Sequence, residues 1–357
     1  MRRNSGGRSP TVNHVSRALV RPLVVLVGLG SVVACSTDEQ SAVTTTIETS
    51  TTVAATTTTS NPTPLADARC LKALKTELYE RPMLMNCDFR GSNLSGRKLT
   101  EVWLRGAQLE RVDLSHSDLS YGDLSGTDVS EADFHAAALQ HTQLNGVRGR
   151  DANFERAYLS GADLLGSWLV NTNFDQANLK YVDAYRSNFD GSSFRGAQLT
   201  RANLEGTKFY SADLTGAMLQ SAQIKYADFR STELAGARLE NAEMLSSRFS
   251  HANLEGARLD GVIATRAGFE HVNFKRAMLR KTDFTRSALS EAILVGADLT
   301  DAKFYGVELV NADLRRANLT NVNFVDADLT GANLTGAILT RANFKRAKLD
   351  GVIGFAP

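Results

Sequence analysis

The chain has 357 residues, 43% of them hydrophobic but only 7% aromatic, so a sizeable core is available and must be built mainly from aliphatic side chains. Forty Lys and Arg against 39 Asp and Glu give a net charge of +1, which argues against a nucleic-acid binder driven by bulk positive charge and against a strongly acidic nucleic-acid mimic. Three cysteines exclude a disulfide-dense scaffold and a zinc ribbon, and no proline occurs between Pro82 and Pro357.

In chain order, residues 1–34 have the pattern of an export signal. Arg2, Arg3, Arg8, Arg17 and Arg21 precede an apolar run from Leu23 to Ala34. That run is too short for a bilayer span, which takes about 20 residues, and fits a signal-peptide core. It ends in Val32-Val33-Ala34-Cys35, which resembles the lipobox of bacterial lipoproteins. The resemblance implies that Cys35 is diacylated, becomes the mature N-terminus and anchors the protein on the extracytoplasmic side of the cell membrane. A short anchor, or a chance apolar run ending in cysteine, is the alternative. Residues 35–64 then form a tether. Twelve of the 29 residues in 36–64 are Thr, with no aromatic side chain, so the segment has too little apolar surface to offset its ordering entropy. As a coil it would span on the order of 30 Å.

Residues 65–86 are assigned to an N-terminal cap. Cys70, Leu71, Leu74 and Leu78 share one face of a helix expected from about Asp67 to Tyr79, and Pro82 ends it.

From 87 to 357 the sequence repeats every five residues. Starting at Phe89, every fifth residue through Leu349 is large and apolar, with exceptions only at Gly149, Ala184 and Ala264. Two residues earlier stands a small side chain, Ala in 29 of 53 cases, with Arg97 the one clear violation. The residue just before the large one is Asp or Asn in 26 of 53, and Gly recurs two residues after it. Five fits neither a helix nor strand alternation. One large and one small inward residue per pentad suit a short strand and a turn, and four pentads close a square coil of 20 residues. Stacked coils pair at about 4.8 Å through backbone hydrogen bonds that a proline would delete. The phenylalanines support 20 independently: Phe134, Phe154, Phe174 and Phe194; Phe189, Phe209, Phe229, Phe249 and Phe269; Phe284, Phe304, Phe324 and Phe344.

The pattern resembles the pentapeptide-repeat family, with Ala162-Asp163-Leu164, Ala202-Asn203-Leu204, Ala297-Asp298-Leu299 and Ala332-Asn333-Leu334 matching its A-(D/N)-L core. The resemblance implies an all-β fold, a right-handed quadrilateral β-helix of about 13 coils. Solenoid ends need capping. The helix at 67–79 is expected over the first coil, and Val352-Ile353-Gly354-Phe355 either closes the last coil or joins it to a second copy as a homodimer.

Residues able to do chemistry are sparse. The six histidines, His14, His116, His135, His141, His251 and His271, form no His-x-x-x-His pair, and no Cys-x-x-Cys occurs. Asp113, Asp118, Asp123, Asp128 and Asp133 look like a carboxylate cluster, but five-residue spacing distributes them around the coil, where turn stabilisation is their ordinary role. No phosphate-binding glycine loop is present, and neither a cofactor nor a metal is expected. Charge is uneven: residues 87–147 hold five Lys/Arg and nine Asp/Glu, and residues 265–357 hold 13 and 10. Tyr158, Trp168, Tyr181 and Tyr185 occupy outward positions within about two coils and form a candidate binding patch. The alternative is shielding of the sheet faces without a partner.

These features favour a non-enzymatic cell-envelope lipoprotein that meets an unknown protein partner, with no nucleic-acid ligand. Some members of the family mimic B-form DNA and bind DNA gyrase, which makes a gyrase-binding protein the alternative. Residues 65–357 carry 35 basic and 36 acidic groups, however, and the export signal would separate the chain from gyrase. With Cys35 acylated, Cys70 and Cys87 remain. Export to an oxidising compartment and a cap helix lying over the first coil predict a disulfide between them, the alternative being two buried thiols.

Overall fold

A computed structural model describes Cys70, Leu74 and residues 83–355. The export signal, Cys35, the Thr-rich tether and most of the cap helix lie outside the described residues. At 70–74 one helical bond is present: the Leu74 amide donates to the Cys70 carbonyl at 3.1 Å.

The repeat is a right-handed quadrilateral β-helix. One residue per pentad pairs in parallel with the residue 20 positions on, from Met83↔Trp103 to Asn333↔Ile353. At one place the pairing widens into strands β1 (Arg148–Arg150) and β2 (Trp168–Val170), with Arg148 opposite Trp168 and Arg150 opposite Val170.

The hydrogen bonding explains the pentad's residue types. In the pentad 114–118, Leu114 N–H donates to Asp133 O (2.7 Å) and His116 N–H to His135 O (2.8 Å) in the following coil. Ser117 N–H donates to Leu114 O (3.2 Å), closing the turn, and Asp118 N–H to Arg97 O (2.9 Å) in the preceding coil. The amide of the fifth residue, Ser115, is left over, and it donates to Asp113 Oδ1 at 3.0 Å. The same bond recurs at Ser120–Asp118, Ser125–Asp123, Ser130–Asp128 and His135–Asp133. Asp and Asn therefore satisfy the one amide per pentad that the coil leaves without a backbone partner. The five carboxylates 113–133 are turn residues in this sense.

Each turn carries positive φ at its second central residue, at every pentad from Asn86 to Gly351, the pattern of a type II turn. Nineteen of these 54 positions are glycine and 35 are not. Glycine is thus favoured by backbone conformation rather than required. At Gly161 a second factor favours glycine: a Cβ there would lie 2.7 Å from the His141 ring, which would have to move aside.

The core is continuous. Inward Leu and Phe side chains from Leu84 to Leu334 are at most 3% exposed. Like stacks on like, with ring centroids 4.6 Å apart for Phe134–Phe154, 4.7 Å for Phe209–Phe229 and 4.9 Å for Phe324–Phe344. Where one Phe ladder hands over to the next, the rings meet edge-on, as at Phe174–Phe189 and Phe269–Phe284. Inward hydroxyls donate to nearby carbonyls, as Ser117 does to Leu114 O (2.6 Å) and Ser187 to Leu164 O (2.6 Å), so burial leaves them paired. Gly149, a gap in the sequence pattern, is already filled: a Cβ there would lie 2.7 Å from both Leu169 Cδ2 and Val129 Cγ2.

The first coil is pinned by a Cys70–Cys87 disulfide with Cα atoms 5.9 Å apart, and Leu74 packs on the core beside it. At the other end Leu339, Phe344, Leu349 and Phe355 are only partly buried.

Candidate functional site

The coil closes every 20 residues, so residues ten apart in sequence lie on opposite faces and residues 20 apart stack. This divides the aromatic patch expected from sequence. Tyr158 stands in the ladder Ala138–Tyr158–Asn178 and Trp168 in the ladder Arg148–Trp168–Asn188, half a coil away. Tyr181 and Tyr185 lie two residues to either side of Asp183, at the two corners of the Asp163–Asp183 face that separates those ladders, Tyr181 in the same column as Tyr121. The four residues are spread over three successive faces, because outward position alone does not specify a face. Tyr185 is half-buried beneath the Arg186 guanidinium, 4.9 Å from its ring, and Arg201 lies 5.9 Å from the Tyr181 ring.

A tighter aromatic group lies in the first coils, and the sequence reading missed it. Trp103 stacks between Met83 and Asp123 in one ladder. Tyr121 sits at the adjoining corner, 18 residues from Trp103, and stacks on His141 with centroids 5.2 Å apart and planes 18° from parallel. His141 in turn lies over Gly161. Trp103 is 39% exposed and Tyr121 62%. Together with Glu101, Asp123 and Gln143 they line a shallow open concavity of about 300 Å³. Arg105 contacts Asp123 at 3.2 Å from its rim. The signal for this group was the 20-residue register: 121 is two residues short of one coil beyond 103.

Two aromatic faces beside carboxylates and an amide suit a cationic, planar or amphipathic group presented by a partner. The other histidines are dispersed. His251 stacks on His271 (4.7 Å) with Glu291 3.4 Å away, and His135 approaches Glu155 at 3.8 Å. Among the described residues no three His, Cys, Asp or Glu side chains are grouped to hold a metal, and no helix is long and apolar enough to cross a membrane. His14 lies outside the described residues.

Asp228 and Asp328, on the outward faces, are held ionised by their neighbours. Burial would raise the Asp228 carboxyl, but hydrogen bonds from Arg230 and the charge of Arg248 bring it below the usual range. Asp328 is lowered to about 2 by hydrogen bonds from Thr330 and Lys348. These are bridges along and between coils, and they give the faces alternating charge.

A family model described as pentapeptide repeats matches eight times, over 98–130, 129–164, 157–196, 197–234, 227–263, 246–286, 282–321 and 317–353. The chain belongs to the pentapeptide-repeat family. Among solved pentapeptide-repeat structures it is similar to trypsin-treated QnrB1, a plasmid-mediated fluoroquinolone resistance protein. That match has 22% identity over 52% of this chain and 87% of that one, with a TM-score of 0.30. It is similar to HetL, involved in heterocyst differentiation regulation in the cyanobacterium Nostoc, with 26% identity over 78% of this chain and 94% of that one and a TM-score of 0.19. A thylakoid-lumen pentapeptide-repeat protein of Arabidopsis thaliana has 32% identity over 23% of this chain and 61% of that one, with a TM-score of 0.14. No curated protein matches the sequence.

Proposed function

We propose that this pentapeptide-repeat protein is a non-enzymatic protein-interaction module of the cell envelope, held at the membrane by acyl chains on Cys35. In this reading the first coils, locked by the Cys70–Cys87 disulfide, present Trp103 and Tyr121 to a protein partner bearing a basic side chain. The observation that carries the reading is the exposed stack Tyr121–His141 beside Trp103, with Asp123 and Glu101 at its border. Rigid aromatic side chains on a fixed scaffold lose little entropy on binding, and Trp and Tyr are enriched among residues that dominate interface energy.

The test compares two double variants of the acylated protein recovered from the envelope. Trp103→Ala with Tyr121→Ala loses the partner, and Tyr158→Ala with Trp168→Ala retains it; equal retention overturns the assignment of the surface. Mass spectrometry of the mature N-terminus tests the anchor separately, because an unmodified N-terminus away from Cys35 removes it. The half-buried inward side chains of the last coil, Phe344 and Leu349, support the homodimer through the C-terminal end, and a monomer at all concentrations by sedimentation would refute that arrangement. The gyrase-binding alternative would require inhibition of supercoiling by the purified repeat.

A further inference from the structure

We propose that Arg266 and Arg286 form a binding site for a doubly charged phosphate monoester. The two arginines occupy equivalent turn positions in successive coils, with φ of 57° and 58°, and both are exposed. Strand spacing of about 4.8 Å makes such neighbours repel, and like charges directly opposite are destabilising.

Elsewhere this chain resolves the same conflict internally. Arg238 and Arg258 also stack one coil apart, and Glu240 Oε1 lies between them, 3.3 Å from the first Nε and 3.0 Å from the second. Arg280, Arg315 and Arg346 each pair with an aspartate, at 2.9, 2.6 and 2.5 Å. Among the described residues no carboxylate pairs with Arg266 or Arg286. Of the carboxylates on the flanking faces, Asp283 pairs with Lys303 at 3.2 Å and Asp326 with Arg346, and Glu308, whose amide donates to Ser287 O at 3.1 Å, makes no ion pair with either arginine. The counter-ion position that Glu240 fills for one arginine pair is supplied by no side chain for the other.

The surroundings give that position shape. Leu245, Thr265, Thr285 and Tyr305 form a column in which two large residues enclose two small ones, and with both arginines they line an open notch of about 340 Å³. The arginine column is likewise flanked by the small residues Ser246 and Gly306, and the Arg286 stem runs beneath Gly306. The guanidiniums therefore have room to converge on one anion. Each offers planar paired donors that match phosphate oxygens, and a phosphate monoester carries close to the two charges the pair neutralises. Thr265 adds a hydroxyl that no aspartate claims, since Ile263 stands where 26 of the 53 pentads have Asp or Asn. Leu245 and Tyr305 supply apolar walls for the group bearing the phosphate.

Calorimetric titration of the purified repeat with inorganic phosphate, O-phosphoserine and a phosphoserine peptide tests this. Saturable binding is expected, weakened on the order of tenfold by Arg266→Gln or Arg286→Gln and unchanged by Arg238→Gln. Equal affinity for free phosphate and the peptide identifies a small-anion site, and tighter peptide binding identifies a phosphorylated protein as the source. Thermal melting in phosphate-free buffer gives a second readout. Arg266→Gln should melt above the wild type, by relief of repulsion, and lose the rise that phosphate gives the wild type, whereas Glu240→Gln should melt below it. No saturable binding, binding unaffected by both arginine variants, or a lower melting temperature for Arg266→Gln without phosphate would each overturn the proposal.

Discussion

Leu84 and Phe89, the first inward side chains on two faces of the solenoid, are 1% and 0% exposed, whereas Phe344 and Leu349, on the same faces in the last coil, are only half-buried. The sequence at both ends obeys the same pentad. Among the described residues what differs is the cover: Cys70, held by its disulfide, and Leu74 lie on the first coil, whereas on the last Val352 and Phe355 pack, Phe355 meeting Phe344 edge-on at 5.1 Å. A stacked coil is buried by its neighbours, so a terminal coil has half the protection of an internal one unless something else covers it.

The largest effect expected from this comparison is on core truncation. Leu254→Ala, in a fully buried coil, should destabilise by about 2–5 kcal/mol. Leu349→Ala should cost well under half of that because its side chain is already partly solvated, and the surface control Glu255→Ala should stay within about 0.5 kcal/mol. Chemical denaturation of the three variants checks the ranking, and equal losses for Leu254 and Leu349 would mean that the last coil is covered in solution.

Next in size is the disulfide. The bond closes a loop with a sequence separation of 17, for which chain entropy gives about 3 kcal/mol. Cys87→Ser should loosen the first coils before the rest, read as faster amide exchange at Phe89 and Leu94 while Phe229 is unaffected. Uniform acceleration along the chain would mean that the solenoid unfolds as one unit rather than from its ends.

A smaller effect is expected at Gly149. Its slot already holds Leu169 and Val129, so Gly149→Ala forces both to move and should cost about 1–2 kcal/mol by overpacking. If the substitution stabilises, the neighbours are not filling the gap.

The fold was legible because the pentad is set by inward packing and by one amide needing a side-chain acceptor, and both constraints act at every repeat. The three Phe ladders carried the 20-residue coil in the same way. The candidate site was less legible. Outward residues obey no such constraint, and grouping Tyr158, Trp168, Tyr181 and Tyr185 by proximity in sequence ignored that ten residues reverse the face. Counting in twenties brings Trp103 near Tyr121, sets Arg266 on Arg286, and needs only the repeat length already in hand. What the period does not contain is which aromatic stacks on which imidazole, or which arginine finds a carboxylate; those depend on side-chain lengths across a corner.

The smallest effect concerns acid, and it separates the two ends by what their carboxylates bridge. Asp88 near the start is lowered chiefly by a hydrogen bond from Arg90, two residues on in its own coil. Asp328 near the end is lowered from 3.8 to about 2, first by Thr330 in its own turn and then by Lys348, whose Nζ lies 2.9 Å away in the final coil. A carboxyl whose folded pKa is depressed contributes stability that is present above its unfolded pKa and lost as the pH falls through the folded one. Asp328 should therefore hold the last coil down to about pH 3.8 and release it progressively toward pH 2. Asp88, bridging nothing between coils, should lose stability on protonation without detaching its coil. Protection of the Lys348 and Ile353 amides, corrected for intrinsic exchange, should fall across that window in the wild type and be low and flat with pH in Asp328→Asn. Equal protection in the two proteins at pH 5 would show that the Lys348 bridge does not hold the terminal coil, leaving that to the Arg346–Asp326 pair and to backbone bonds such as Lys348 to Ala327 and Ile353 to Ala332, each 2.9 Å.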